Sequence, residues 1–532
     1  MDILSRKDVK TQKIGKTTYV FIDKPYWDKE KKQNRHEREY IGKLNENGHF
    51  VPNKEFAARY ESEKGEEASK NNKNSLIAER KFFGATYLLD KISEKSSLND
   101  DLIASVGEEL GQKIMSLAYF LVLEGESSMY RFEKFAKTHK HPFGKIIASQ
   151  RISEIFADIS ETKKLSFFKK RATRVVKNEY LAYDTTSISS YSEMMKQIKY
   201  GKNKDLEELT QLNLAMVFGE ESMLPVYYRK LPGNISDVST MKKLLIDMSF
   251  MNLKKMKFVL DRGFFSAANI NELYRNRHKF IIATKSNSAK TKVFLAEIKV
   301  SKKGLSNFDS VHDVYFFTKL EKWRYEFTNR KGEKSYKNRL IYFHGYYDGV
   351  RAEDEKLEFI KNLKFAETCF KEESANETQK RLIEEYFFLD KDSKIIGENH
   401  QALNAKMESY GYFILLSSHE SNAVSALSIY RNKDVIEKTF CNLKNRLDMK
   451  RTKVSTEESL EGKLFVQFIA LTFVSYIHQI MIKNDLYKNY SMSSLLDELD
   501  VIEIFEYSSK KTHYSEITKK QRKLLAYFGL TL

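Results

Sequence analysis

Two hydrophobic periods divide this 532-residue chain. Apolar residues at every second position predict strand, and apolar residues at every third or fourth predict helix. Residues 1–60 are of the first kind. Thr17–Ile22 reads as a strand, Arg38–Leu44 as another, and Asn47-Gly48 marks a turn. Residues 61–75 are almost wholly polar and read as a linker. Residues 76–177 take up the helical period, with Ile114–Leu123 a strongly apolar buried segment. Ile146–Ile159 has the outline of part of a helix-turn-helix, without a clear turn glycine.

From residue 178 the pattern changes again. Tyr180–Ile188, Leu212–Phe218 and Leu224–Leu231 read as three consecutive strands, the last two joined by the turn Gly219-Glu220-Glu221-Ser222. A helix (Val238–Met251), a short strand (Phe258–Leu260), a helix (Ala267–Arg277) and a strand (Phe280–Thr284) follow. This order predicts a mixed sheet, antiparallel first and parallel after the crossovers. Residues 290–404 break the rhythm. Val314–Thr318, Trp323–Thr328 and Arg339–His344 are short aromatic or β-branched strands, with a turn at Asn329-Arg330-Lys331-Gly332 and a charged helical segment at Glu353–Glu385. This region reads as a β-rich insertion between core segments 178–289 and 405–485. The second segment holds a strand at Tyr412–Leu416, a helix through 430–444 and an apolar helix at Leu464–Ile482. Residues 486–532 form a polar, partly helical tail, a candidate for dimerisation. The expected fold class is multidomain α+β.

Composition narrows the function. A net charge of +18 suits a polyanionic partner such as nucleic acid. Abundant Lys, Asn, Ile, Tyr and Phe also fit a plain compositional bias. Cys369 and Cys441 form no C-x-x-C pair, which excludes a zinc ribbon or a disulfide framework and points to a reducing compartment. The first residues carry no apolar leader. Leu464–Ile482 contains Gln467, Thr472, Ser475, His478 and Gln479, so a buried helix is expected rather than a membrane span. The expected location is cytoplasmic.

Tyr430, Lys433, Glu437 and Lys444 fall within roughly 60° of arc on a helix. A carboxylate between two cations is poor core material unless paired, and good material for holding a metal ion beside phosphates. Asp184 interrupts a strand, and Asp261 ends Phe258-Val259-Leu260. Active sites of open sheets with crossovers collect at the carboxyl ends of strands. If the first and fourth strands are neighbours, Asp184 and Asp261 converge, and Glu437 completes a cluster of three carboxylates. Oxygen ligands suit Mg²⁺ or Mn²⁺. Taken singly, each Asp equally fits a helix cap or an arginine partner. Asp434, about 60° from Glu437, is the rival third ligand.

These residues resemble the DDE transposases of bacterial insertion sequences, built on a ribonuclease H-like core. The branch is the insertion-sequence-4 superfamily, marked by Tyr, two residues, Arg, three residues, Glu, six residues, Lys. Tyr430, Glu437 and Lys444 match that spacing, with Lys433 where the family has arginine. Lysine offers a phosphate a point charge in place of a planar fork. Asp184-Thr185-Thr186 and Leu260-Asp261-Arg262-Gly263-Phe264 resemble the surroundings of the family's two Asp, and Leu231–Asp237 a stretch between them. The 176-residue step from Asp261 to Glu437 fits an insertion before the Glu. Tyr26–Lys32 and Tyr40–Leu44 are similar to the start of the 1634 group.

The resemblance implies that Asp184, Asp261 and Glu437 hold two Mg²⁺ ions, with Mn²⁺ able to substitute. It implies cleavage and strand transfer on double-stranded DNA, at element ends and target, by a homodimer in a synaptic complex. Tyr430, Lys433, Lys444 and Arg262 would contact DNA. Trp323 would stack on an unpaired base or pack in a sheet. The basic run Lys169, Lys170, Arg171, Arg174 and Lys177, just before the strand of Asp184, is a further candidate for DNA contact. Trp27 is expected in the core of the first module, and His139 and His141 in a surface loop. A ribonuclease H-like nuclease without strand transfer and a catalytically silent DNA-binding descendant are the alternatives.

Overall fold

The computed structural model describes residues 8–532 apart from 16, 29–32, 46–47, 58–77, 126–127, 177–178, 191–194, 196, 201–208, 236, 254, 286–287, 302, 330, 393, 450, 455 and 508–511. The expected linker at 61–75, Lys177 and Arg330 lie outside the described residues. The chain forms two compact units, Met1–Lys81 with Glu503–Glu516, and Phe82–Ile502 with Ile517–Leu532.

In the first unit, β1 (Val9–Ile14), β2 (Thr17–Asp28), β3 (Gln33–Leu44) and β4 (Phe50–Pro52) form an antiparallel meander. Its core is small: Val20, Ile22, Ile41 and Phe56. Trp27 is not part of it. It pairs with Asn34 beyond the buried stretch of β2 and is 58% exposed. A further strand, β5 (Ala78–Phe82), joins a separate small sheet described below.

The second unit has a helical layer and a large sheet. The layer comprises helices Gly84–Ser96, Leu98–Val106, Glu108–Glu124, Phe132–Thr138, Ser149–Asp158 and Glu161–Val175, with Glu457–Lys483 packed among them. Gly462 permits the closest crossing: a Cβ there would stand 2.2 Å from the Phe156 carbonyl oxygen. The Glu457–Lys483 helix is long and apolar enough to cross a membrane, but 72% of its most apolar window is buried in the protein. Gln467, Thr472 and Ser475 are buried with it. His139 and His141 are also buried, contrary to the surface loop expected. His139 Nε2 meets Asp500 Oδ2 at 2.9 Å, and His141 Nδ1 meets Ser116 Oγ at 2.9 Å. These partners lie 361 and 25 residues away, beyond the reach of local pattern.

The sheet has nine strands: β6 (Tyr180–Ser190), β7 (Thr210–Gly219), β8 (Pro225–Pro232), β9 (Lys257–Leu260), β10 (Lys279–Ala283), β11 (Phe308–Asp309), β12 (Val314–Thr328), β13 (Lys334–Asp348) and β16 (Tyr412–Ser417), with β14 (Phe387–Leu389) and β15 (Ile395–Glu398) forming a separate hairpin between them in sequence. Its order is β11-β12-β13-β16-β10-β9-β6-β7-β8. β9 is parallel to both β6 and β10, and the other neighbours are antiparallel. Gly233, in the Leu231–Asp237 stretch, fits close against β7. A Cβ there would lie 2.0 Å from the Gln211 carbonyl oxygen, and the Gln211 side chain donates to the Gly233 carbonyl at 3.1 Å.

Residues 290–404 hold both strands and helices, with more residues in helix than in strand. The two short strands expected at 314–318 and 323–328 are one, because β12 pairs with β13 without interruption from Val314↔Asp348 to Thr328↔Lys334. β13 pairs in turn with β16, so these strands extend the main sheet. The Gly349–Lys371, Glu377–Tyr386 and His400–Met407 helices share a separate core of Phe359, Leu363, Ile383, Tyr386 and Leu403. In the tail, Leu495, Leu499, Leu524 and Leu525 join the main core. β17 (Glu503–Tyr507) and β18 (Thr512–Tyr514) complete a three-stranded sheet with β5.

Candidate active site

The parallel pairing of β6 with β9 sets the site. Tyr183 lies opposite Leu260, so the next residue on each strand is a carboxylate, Asp184 beside Asp261. Asp261 keeps extended backbone (φ −74°, ψ 164°), so the strand direction persists through it. Both are half-buried. Tyr180-Leu181-Ala182-Tyr183 precede Asp184 in the middle of β6, and Phe258-Val259-Leu260 precede Asp261 at the end of β9.

The Ala423–Arg446 helix brings the third carboxylate. Its first turns pack Ala423, Ala426 and Leu427 on Tyr180, Val259, Ile281 and Leu415 of the sheet. Beyond that anchor the charged stripe runs along the same strands. The Tyr430 hydroxyl donates to Asp261 Oδ1 at 3.1 Å. Lys433 forms an ion pair with Glu437, one turn on. Lys444 Nζ donates to Thr186 Oγ1 at 2.8 Å and to the Ser187 carbonyl at 3.1 Å. The stripe faces the protein: Lys433 and Lys444 are 1% and 2% exposed. This corrects their expected role as DNA contacts. Buried ammonium groups require partners, and here a carboxylate and the backbone and hydroxyl of β6 supply them.

Electrostatics couples the three acids. Burial first, and then the charge of Asp184, push the Glu437 carboxyl up to about 7; Lys433 opposes the rise and Asp261 adds to it. Burial and the charge of Asp261 also push the Tyr430 hydroxyl up, so it stays protonated as a donor. Among the described residues no three His, Cys, Asp or Glu side chains stand close enough to form a ready metal cluster. The donor set nonetheless fits a hard divalent cation: burial and the charges of Asp184 and Asp261 raise the proton affinity of Glu437, and a cation relieves that repulsion. Asp434, the rival ligand, is half exposed and 3.6 Å from Lys433 Nζ, at the outer side of the pair.

Arg262 is exposed beside Asp261, and Lys169 and Lys170 are exposed on the Glu161–Val175 helix. Arg174 is exposed at its stem and bonded to Asp101 Oδ1 at 2.8 Å. Arg171 is not available to DNA. It is 1% exposed, and its guanidinium donates to the Ser96 carbonyl at 2.6 Å and to the Tyr476 hydroxyl at 3.2 Å. One helical turn separates an outward Arg from an inward one. Trp323 is likewise in the core, 8% exposed, with Nε1 donating to Asn271 Oδ1 at 2.9 Å, so it packs in the sheet and stacks on no base.

Sequence reasoning missed the braces of the site helix. Asn432 Nδ2 donates to Glu220 Oε1 at 2.7 Å. Arg431 NH1 donates to the His312 carbonyl at 3.2 Å, and NH2 lies 3.4 Å from Asp348 Oδ2. Ser428 Oγ meets His312 Nε2 at 3.3 Å. Glu220 had read as part of a polar hairpin turn; its burial alone would have signalled a role, and that is a tertiary property.

Comparison with known proteins bears on this geometry. The family model described as "Transposase DDE domain" matches residues 177–473, more than half of the chain. That span takes in Asp184, Asp261 and Glu437. No curated protein matches. A solved structure, described as the cryo-EM structure of a piggyBac transposase synaptic complex with hairpin DNA, is similar at 10% identity and a TM-score of 0.39, over 74% of this chain and 70% of that one. A likeness that slight bears on neither fold nor function.

Proposed function

Since the chain belongs to the transposase DDE domain family, we propose that it binds the terminal inverted repeats of a mobile element and catalyses metal-dependent DNA cleavage and strand transfer. The observation that carries this reading is the register of β6 on β9, which sets Asp184 beside Asp261, with Glu437 raised by the charges of both. In this reading the sheet from β6 to β10 is a ribonuclease H-like core, residues 290–404 are its insertion, and the branch is the insertion-sequence-4 superfamily, 1634 group.

Asp184, Asp261 and Glu437 would hold the ions. Two Mg²⁺ ions, or Mn²⁺ in their place, would activate the attacking oxygen and stabilise the leaving one at a phosphodiester. The protein's own residues position. Tyr430 fixes the Asp261 carboxylate through its hydrogen bond. Lys444 ties the helix to β6 next to Asp184. Lys433 neutralises Glu437. Arg262, Lys169 and Lys170 are exposed cations for the DNA backbone. The N-terminal module and the helical layer would bind DNA, a homodimer would form the synaptic complex, and the protein would work in the cytoplasm.

The test is cleavage of DNA carrying the flanking inverted repeat, with Mg²⁺, by the native chain and by Asp184→Asn. Cleavage and joining by the native chain alone are expected. Equal product from both would overturn the metal-site assignment, and cleavage without joining would favour a nuclease.

A further inference from the structure

The β1–β4 meander has one covered face and one open face. Side chains alternate across a strand. Val20 and Ile22 turn to the core that holds Ile41 and Phe56, and Tyr19, Phe21, Asp23 and Trp27 turn the other way. The register puts Lys10 of β1 and Lys43, Tyr40 and Arg38 of β3 on that second side. An antiparallel sheet ordinarily shows polar side chains to water there. Here Tyr19, Tyr40 and Trp27 are 38, 47 and 58% exposed, and Ile14 and Val51 add apolar surface at the margin. The central rings touch. Tyr40 stands edge-on to Tyr19 at 6.3 Å between centroids and lies 5.7 Å from Phe21, with the Arg38 guanidinium over Phe21 at 4.9 Å.

Charge is sorted across the same sheet. Of the four acids in β1–β4, Asp28, Glu37 and Glu39 fall on the core side, where Arg35 and Lys24 hold Asp28 and Glu39 at 3.4 and 2.9 Å. Asp23 alone is on the open side. It is 8% exposed, paired with Lys10 and with His36 Nδ1 at 3.0 Å. The open face thus presents aromatic rings beside the exposed cations Arg38 and Lys43.

This chemistry selects the partner. Cations suit phosphates. Exposed rings gain most from open π-faces, which a duplex keeps stacked inside and a single strand offers. We propose that this face binds single-stranded DNA, with bases stacked on Tyr19, Tyr40 and Trp27 and phosphates on Arg38 and Lys43. From Tyr19 to Trp27 it runs about 27 Å, room for about four nucleotides. The proposal rests on the functional reading above only for the source of the strand, unpaired DNA at an element end. Its readout needs neither metal nor cleavage, so either can fail alone.

The experiment is fluorescence anisotropy with the full chain in chelator, on a labelled oligothymidylate of about 12 nucleotides and a duplex of that length. The single strand should bind. Tyr19→Ala with Tyr40→Ala should weaken it at least about tenfold and the duplex less than about threefold, with an unchanged melting temperature showing that the fold is intact. Tyr19→Phe with Tyr40→Phe should bind as the native chain does. A second readout needs no change to the sheet centre. The chain has two tryptophans, and Trp323 is buried, so the oligothymidylate should quench Trp27 fluorescence, and Trp27→Phe should remove the quenching. The proposal is overturned by absent single-strand binding, by an alanine pair that leaves it unchanged or weakens strand and duplex alike, or by quenching that survives Trp27→Phe. Tighter binding of an oligouridylate would assign the face to RNA instead, and a dimer in sedimentation that the alanine pair abolishes would assign it to a second copy.

Discussion

The helices Ala423–Arg446 and Gly349–Lys371 are nearly equal in length, 24 and 23 residues, and both are rich in charge. They are inverted with respect to solvent. The first buries Lys433 and Lys444 against the sheet; the second leaves Leu357 and Phe365 in water. A buried charge is retained only with partners, because desolvation costs several kcal/mol. Single exposed apolar side chains set among charges carry no such requirement. The first helix completes a site within the chain, and the second stands at its surface with one face on a small core of its own. Position in the fold separates the two, since composition does not.

Breaking the first helix's site gives the largest effect. Asp184→Asn, Asp261→Asn and Glu437→Gln should each reduce cleavage of inverted-repeat DNA by about a thousandfold or more while the chain stays folded, as read by gel assay and circular dichroism. Retained activity in any one removes that residue from the site.

Lys444→Ala should cost about 3 kcal/mol, because it strands the buried Thr186 and Ser187 acceptors. Lys361→Ala, on the exposed helix, should stay within about 0.5 kcal/mol. Urea denaturation of both measures the contrast directly, and equal costs would erase it.

Tyr430→Phe removes one hydrogen bond to a carboxylate. A loss of about tenfold in cleavage rate is expected, with stability changed by about 1 kcal/mol.

The acids themselves set a pH signature. The Glu437 carboxyl, ordinarily near 4.5, titrates near 7 in the folded chain. Between those values the folded state holds a proton that the unfolded state has released, so stability falls as pH rises through that window and stays reduced above it. Asp184→Asn removes one cause of the shift. In chelator at about pH 8 it should melt roughly 1–3 °C above the native chain, and Mg²⁺ should raise the native chain alone. Parallel melting curves with and without Mg²⁺ would separate Asp184 from any cation site. The smallest effect is Leu357→Ser, expected to change the stability of the chain by less than about 0.5 kcal/mol.

Much of the site could be read before folding. The spacing of Tyr430, Lys433, Glu437 and Lys444 needs only the helical period, and the apolar runs before Asp184 and Asp261 need only their nearest neighbours in sequence. The strand-helix-strand order from β9 to β10 likewise announced their parallel pairing. Arg171 and Arg174 show where that reading ends. Both belong to one basic run and both pair with Asp101, and they part because Ser96 and Tyr476 hold Arg171 alone. Trp323 could have stacked or packed, and Asn271 on a neighbouring helix decided it.

By itself, then, the sequence determined the period of each segment, the three carboxylates and the stripe, since these depend on neighbours within a turn or a strand. Tertiary structure decided that β6 and β9 lie side by side, that the stripe faces inward, and that Leu357 and Phe365 stay at the surface. Each of these depends on which distant elements share a surface, and desolvation and pairing are settled only there.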